Sequence, residues 1–310
     1  MTPAFAAPLF VASIALMLYA SAHFARRLDR AGLRLGLPEA LLGLLTALAA
    51  DAPEISSAIS ALVQHDHAVA VGVVVGSNAF NLAAMLGLSA VVAARVRAEH
   101  DTFRLEAVVG LSLLAVLLAV VAGGIGGTAG GALVGAIAVP YVVLLAREPR
   151  HQARAAHSRR EVVHLLVVLL LALGLIVAGS VGAVRAATDL AHAWSVPDAL
   201  VGVVVLAILT SLPNAWTGIR FGLQGRGSAL ASEALNSNSI NLVAGLALPA
   251  AFGSFAGFSG LAVFDLAWLV AMTAATFVLI GRRSGAGRRA GVFLIALYAV
   301  FLVVQVAVGG

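Results

Sequence analysis

Two carboxylates flank a proline in Asp51-Ala52-Pro53-Glu54, inside a long apolar run. An ionisable side chain at the centre of a membrane helix costs about 2.5–3.5 kcal/mol on insertion scales, so it needs a compensating role. The i,i+3 spacing puts both acids on one face if the helix runs on. Pro53 removes one backbone donor and frees a carbonyl one turn back. Carboxylates beside freed carbonyls suit a hard cation, which takes oxygen ligands. Two acids this close also repel, so a proton shared between them would compete with the cation.

Neutral oxygens with the right spacing accompany the acids. Ser77-Asn78-Ala79-Phe80-Asn81-Leu82 recurs as Ser237-Asn238-Ser239-Ile240-Asn241-Leu242, 160 positions later. Pro53 recurs in the same register as Pro213, and proline to first asparagine is 25 residues in both copies. Ser77, Asn78 and Asn81 share a helix face, as do Ser237, Asn238 and Asn241. Asn78 and Asn238 read equally as interhelical glue, since such amides also pack membrane helices together. Around Pro213 the chain reads Thr210-Ser211-Leu212-Pro213-Asn214, so Ser211 stands where Asp51 stands and Asn214 where Glu54 stands. Glu233 lies one turn before Ser237; it reads either as an acid of the site or its mouth, or as a solvated residue near a helix start. Asp265 is expected to pair elsewhere, and His65, Asp66 and His67 read as a wet loop.

These elements must be positioned by membrane helices. The chain has 310 residues, 61% hydrophobic and 11% charged. A soluble domain is nearer 25% charged, and so few charges cannot cover a soluble surface of this size. Cysteine is absent, which excludes disulfides and thiolate metal sites. Ser77 and Ser237 have no membrane-depth histidine nearby, His23 and His164 lying toward span ends, which argues against an intramembrane hydrolase. No appended soluble domain is recognisable that would read the signal of an ion sensor.

Ten apolar spans are predicted: about 4–24, 37–63, 68–94, 104–123, 128–146, 162–184, 197–222, 228–252, 258–280 and 290–308. The run at 4–22 has no basic residue before it and four arginines after it, so it reads as a retained span rather than a cleaved leader. The fold expected is an all-α membrane protein of about ten transmembrane helices in two inverted five-helix repeats. Residues 1–146 form the first half, with its repeat motif at about 40–92. Residues 147–161 form a cytoplasmic link. Residues 162–310 form the second half, with its motif at about 200–252. An odd number of spans per half inserts the second half upside down, as alternating-access transporters often do. Arginine supports this count. Of the 19 basic residues, 18 fall after spans one, three, five, seven and nine, and only Arg185 falls on the other side. By the positive-inside rule the arginine side is cytoplasmic and both termini are extracytoplasmic. The net charge of +5 thus reflects topology rather than a nucleic-acid surface.

The linked motifs resemble those of the cation/calcium exchanger superfamily, whose best-known branch is the sodium/calcium exchangers. Members carry Gly-Thr-Ser-Leu-Pro-Glu in each half and, about 25 residues on, Gly-Ser-Asn-x-x-Asn or Asp. Gly76-Ser77-Asn78-Ala79-Phe80-Asn81 matches the second element fully; Pro53-Glu54 and Thr210-Ser211-Leu212-Pro213 match parts of the first. The resemblance implies that Glu54 is the main cation-binding glutamate of the first half. It implies polar ligands at Ser77, Asn81, Thr210, Ser211, Ser237 and Asn241, and a gating role for spans one and six. The departures are Ala50 and Asp51 in place of the usual Thr and Ser, Asn214 in place of the second glutamate, and Asn241 where some members carry Asp.

The expected site therefore takes charge from Asp51 and Glu54, and neutral oxygens from Ser77, Asn81, Thr210, Ser211, Asn214, Ser237 and Asn241. Asn78, Asn238 and Glu233 are secondary candidates. The expected function is cation antiport in the cell (inner) membrane, not enzymatic catalysis. Calcium or another divalent ion would exchange for protons or sodium; sodium/proton exchange is the alternative. The lipid bilayer and inorganic cations are the partners, and the transported Ca2+, Na+ or H+ is substrate; no cofactor and no nucleic acid is expected.

Overall fold

The computed structural model describes residues 2–35, 39–97, 100–147, 159–247, 260–282 and 285–309. It is built almost wholly of helices. The first half contains α1 (Pro3–Leu35), α2 (Glu39–Ala50), α3 (Ala52–Val63), α4 (His67–Asn81), α5 (Ser89–Val92), α6 (His100–Val121) and α7 (Gly127–Ala146). The second contains α8 (Arg159–Trp194), α9 (Asp198–Leu200), α10 (Ala207–Leu223), α11 (Gly227–Asn241), α12 (Gly260–Ile280) and α13 (Arg288–Gly309). Three π-helical stretches, Leu82–Leu88, Val201–Leu206 and Leu242–Ala247, carry α4 into α5, join α9 to α10 and extend α11.

Among the described residues, eight helices are long and apolar enough to cross a membrane: Pro3–Leu28, His67–Val92, Phe103–Val121, Gly127–Ala146, Val163–Trp194, Val201–Leu223, Gly260–Ile280 and Arg288–Val308. The two remaining expected spans fall short for physical reasons. The span at 37–63 is cut at Asp51 into two 12-residue helices. The span at 228–252 carries the polar run of α11, and its last residues lie outside the described residues. The glycine-rich turn between α6 and α7 lies where the sequence puts it, with Gly123 in the left-handed conformation at φ +75°. α1 and α8 run well beyond the expected ends at 24 and 184, because no breaker stops them and each packs along the other.

The two proline segments differ. In the first, Pro53 enters at the start of α3 just after the cut, and the carbonyl of Ala49 four residues earlier accepts a hydrogen bond from Ser21 Oγ of α1 at 3.4 Å. In the second, Pro213 causes no break: α10 runs through it from Ala207 to Leu223. The irregularity falls instead in the π-helical stretch that ends one turn before Thr210. Such widened turns absorb a local mismatch without ending the helix, and they are frequent at functional sites.

α4 packs on the π-helical stretch at 201–206 with the backbones nearly touching. A Cβ on Gly76 would lie 2.6 Å from the Val203 carbonyl oxygen, and one on Gly202 would lie 2.5 Å from that of Val69. Small residues at such contacts let membrane helices approach closely.

The ends of these helices sort by charge. Arg95–Val96 pairs antiparallel with Ala286–Gly287, and Gly227 abuts the backbone of Arg97. Three arginine-bearing linkers thus meet at one end. At the other end of α4, Asp66 caps that helix through Val69 N at 3.1 Å and lies within electrostatic reach of His192 and Asp198. So α4 starts at the histidine-bearing end and α11 starts at the arginine end. The two Ser-Asn-x-x-Asn segments run in opposite directions.

The absence of native cysteine makes a direct check possible. Single cysteines at Ser195, at the histidine-bearing end, and at Gln224, at the arginine end, should react with impermeant reagent from opposite faces of the membrane. Labelling of both from one face would overturn this sidedness.

Candidate functional site

Asp51 and Glu54 are fully buried, with 0% of either side chain exposed. The cut between α2 and α3 places Asp51 at the N-cap of α3 and Glu54 in its first turn. There the backbone N–H groups of α3 favour negative charge. The donors to both acids come from the other half of the chain. Asp51 Oδ1 accepts from Ser237 Oγ at 2.7 Å and from Asn214 Nδ2 at 2.8 Å. Glu54 Oε1 accepts from Ser211 Oγ at 2.9 Å and from the same Asn214 Nδ2 at 3.3 Å. One amide nitrogen therefore bridges the two carboxylates, whose bonded oxygens lie within about 6 Å of each other. Two full charges at that separation repel by about 3 kcal/mol at an effective dielectric of 20.

Each acid uses one oxygen and leaves the other without a partner: Asp51 Oδ2 and Glu54 Oε2 are buried and make no hydrogen bond. Asn81 Oδ1 and Asn241 Oδ1 are likewise buried and unpartnered. All four are acceptors. Buried acceptors without donors are costly unless something electropositive meets them. Ser77 Oγ donates to the Val74 carbonyl at 3.1 Å and Thr210 Oγ1 to that of Leu206 at 2.9 Å. Both hydroxyls spend their protons on their own helices, which frees their lone pairs. Among the described residues no group of three or more His, Cys, Asp or Glu side chains could hold a metal ion. A cation here would rely on two carboxylates and neutral oxygens, a donor set suited to hard ions.

Asn78 and Asn238 do something the sequence left open. Asn78 Nδ2 donates to the Asn238 carbonyl at 3.0 Å, and Asn238 Nδ2 donates to the Asn78 carbonyl at 3.1 Å. Asn81 Nδ2 donates to Asn238 Oδ1 at 3.4 Å, and Asn241 Nδ2 to Asn78 Oδ1 at 3.3 Å. The exchange is reciprocal bond by bond. These four amides clamp the two antiparallel segments beside the acids. Asn81 Nδ2 also donates to Ser237 Oγ at 3.0 Å, which joins the clamp to Asp51.

Of the remaining candidates, Glu233 is half-buried with Oε2 unpartnered, and both Asp51 and Arg226 act on it electrostatically. Asp265 bonds Gln305 of α13, away from the acids. One buried carboxylate escaped the sequence reading. Glu106 of α6 accepts from Ser232 Oγ and, at 3.1 Å, from Asn236 Nδ2. The signal was present: an acid just inside an apolar span. At the 160-residue spacing its position falls on Leu266, so the repeat that drew attention to the other acids does not include it.

The sequence profile described as sodium/calcium exchanger protein matches residues 5–146 and 164–307. The inner membrane protein YrbG of Escherichia coli (strain K12) is 26% identical over 229 residues, covering 69% of this chain and 70% of that protein. Solved structures of the sodium-calcium exchanger NCX_Mj share the fold. One, soaked with 10 mM Na+ and zero Ca2+, superposes with a TM-score of 0.68 at 20% identity over 97% of this chain and 99% of that chain. Another, soaked with 2.5 mM Na+ and 1 mM Sr2+, gives 0.69 at 21% identity over 96% and 97%.

The clamp is testable by a double-mutant cycle. Asn78→Ala leaves the Asn238 carbonyl and Asn241 Nδ2 without their partners and should cost about 1–3 kcal/mol of stability. Asn241→Ala, which leaves Asn78 Oδ1 without its donor, should cost a similar amount. The double variant should cost clearly less than the sum, because the Asn241–Asn78 side-chain bond is lost in each single variant. Strict additivity in thermal unfolding of the detergent-solubilised protein would show that this side-chain bond does not form.

Proposed function

The chain belongs to the sodium/calcium exchanger family, and from that premise we propose that it is a secondary active cation antiporter working by alternating access. The observation that carries this reading is the set of four buried, unpartnered oxygens on Asp51, Glu54, Asn81 and Asn241, drawn from both halves and including both carboxylates. Asp51 and Glu54 supply charge. Ser77, Asn81, Thr210, Ser211, Asn214, Ser237 and Asn241 supply neutral oxygens, and Glu233 lines the approach from the arginine end. Two carboxylates balance one divalent ion, so calcium or another divalent cation is the first substrate, exchanged for protons or sodium. The second reading is sodium/proton exchange. It is favoured by the closeness of the two acids: if one keeps a proton, a single charge remains, which suits sodium.

The architecture proposed with it is ten spans in two inverted halves, residues 1–146 and 162–310, joined by a cytoplasmic link at 147–161. The opposed directions of α4 and α11 and the sorting of arginine to one end support it. The inner-membrane relative supports the cytoplasmic membrane as its location, and both termini would then face outward. An enzymatic reading lacks support: Ser237 Oγ is committed to Asp51 and Ser77 Oγ to its own helix.

Two variants test the site. Glu54→Gln keeps an acceptor for Ser211 and removes a charge whose insertion is costly, so the protein should still fold and insert. Ion flux in proteoliposomes should fall to background. Normal flux from well-inserted protein would remove Glu54 from the ligand set. Asp51→Asn halves the formal charge of the pair. In titration calorimetry it should weaken calcium binding far more than sodium binding, and equal losses for both ions would favour the monovalent reading.

A further inference from the structure

Glu106 lies outside the proposed cation site, yet it is 5% exposed and held by a network of its own. Its Oε1 accepts from Ser232 Oγ and Asn236 Nδ2, and Asn236 Oδ1 in turn accepts from Tyr141 OH of α7 at 2.6 Å. Its Oε2 is buried and makes no hydrogen bond. Among the described residues no cation faces it from an element packed on α6. On α6 itself Arg104 is exposed. On α7 the one titratable residue is Tyr141, and on α12 it is Asp265, bonded to Gln305. On α11 it is Glu233, and the π-helical stretch at 242–247 has none. A buried carboxylate with two neutral donors on one oxygen, an empty second oxygen and no counter-charge has the surroundings of a proton acceptor rather than of a metal ligand.

Its place in the fold gives that proton a use. Ser232 and Asn236 are i,i+4 on one face of α11; Glu233 and Ser237 are i,i+4 on the adjacent face. The first face holds Glu106 and the second reaches Asp51. Ser232 and Ser237 are five residues apart, about 7.5 Å along the helix axis. Glu106 itself lies about 9 Å from the first residue of α6, on the side of the arginine-bearing linkers. It stands between that end of the protein and the acids. We propose that Glu106 is a separate proton-binding site of the exchange cycle, taking one proton on Oε2 from the arginine-bearing side and releasing it to the opposite side as the cation site fills from there, with α11 as the element that links the two.

The proposal rests on the antiporter reading, and the test separates the two. Purified protein is reconstituted in proteoliposomes with calcium, and in parallel sodium, as the transported probe. Two fluxes are measured: self-exchange of the probe, which needs no counter-ion, and net uptake into acid-inside vesicles. In Glu106→Gln the amide oxygen still accepts from Ser232 and Asn236, and the amide nitrogen stands where the protonated Oε2 would. Self-exchange should persist within about two-fold of the wild type, while proton-driven uptake should fall at least ten-fold and lose its pH dependence. Unchanged proton-driven uptake with an unchanged pH profile would overturn the proposal and leave the antiporter standing. Wild-type uptake driven by sodium but never by protons would do the same. Absence of every flux from inserted wild-type protein would instead overturn the antiporter reading. Ser232→Ala provides a second variant, should Glu106→Gln fail to insert. Loss of a donor to the ionised carboxylate should move the pH midpoint of uptake toward alkaline values. An unmoved midpoint counts against Glu106.

Discussion

Two carboxylates buried on one short helix are the constraint on which the rest of the structure depends. Neither can be left bare in an apolar interior, since an ionised group there is costly unless donors or a counter-charge meet it. The donors do not come from neighbouring turns. Ser211, Asn214 and Ser237 come from α10 and α11, more than 150 residues away in sequence. The first half supplies the charge and the second half the hydrogen bonds. The site exists only when the halves close on each other in register. The backbone-close contacts of Gly76 and Gly202, and the exchange among Asn78, Asn81, Asn238 and Asn241, hold that register.

Scaffold and chemistry obey different symmetries. The amide exchange is two-fold to within a tenth of an ångström in its paired distances, and π-helical turns follow Asn81 and Asn241 alike. The charge is one-sided. Where the first copy has Asp51 and Glu54, the second has Ser211 and Asn214, and Asn214 turns its amide toward both acids at once. Duplicated backbone geometry thus carries two different roles, acceptor in one copy and donor in the other. An acid at position 214 would put a third negative charge beside the pair and remove the bridging donor.

Much of this was legible in the sequence, because a repeat at fixed spacing and an acid pair in apolar surroundings leave few alternatives. The nine proposed ligands lie on the helices expected to carry them. What the sequence hid depends on tertiary partners. Pro53 and Pro213 look alike in the chain, but one follows a cut at a fully buried Asp51 and the other is carried through inside α10. The carbonyl freed at Ala49 meets Ser21, a residue with no motif to mark it. Asn78 and Asn238 were open between ligand and glue because both uses place an amide at membrane depth; only the partner's position decides. Glu106 stayed invisible because a single acid near a span's start reads as solvated until α11 is seen to cover it.

The same distribution of strong and weak contacts bears on movement. α1 and α8 bind each other tightly: a Cβ on Gly179 would stand 2.9 Å from the Ser13 carbonyl oxygen, so the two backbones nearly touch. Their polar contacts to the site helices are of another kind. Ser57 Oγ of α3 reaches Met17 Sδ at 3.8 Å, and Ser21 Oγ meets the Ala49 carbonyl at 3.4 Å. Thioether sulfur is a weak acceptor, and methionine repacks readily against new surfaces. A pair of helices rigid within itself, and joined to its neighbours by weak bonds, can shift by sliding without breaking its own core. The four-amide clamp beside the acids has no such softness. The contact chemistry therefore sets a tightly bonded part that holds the acids against a pair of helices joined to it by weaker contacts, the division that the proposed alternating access requires.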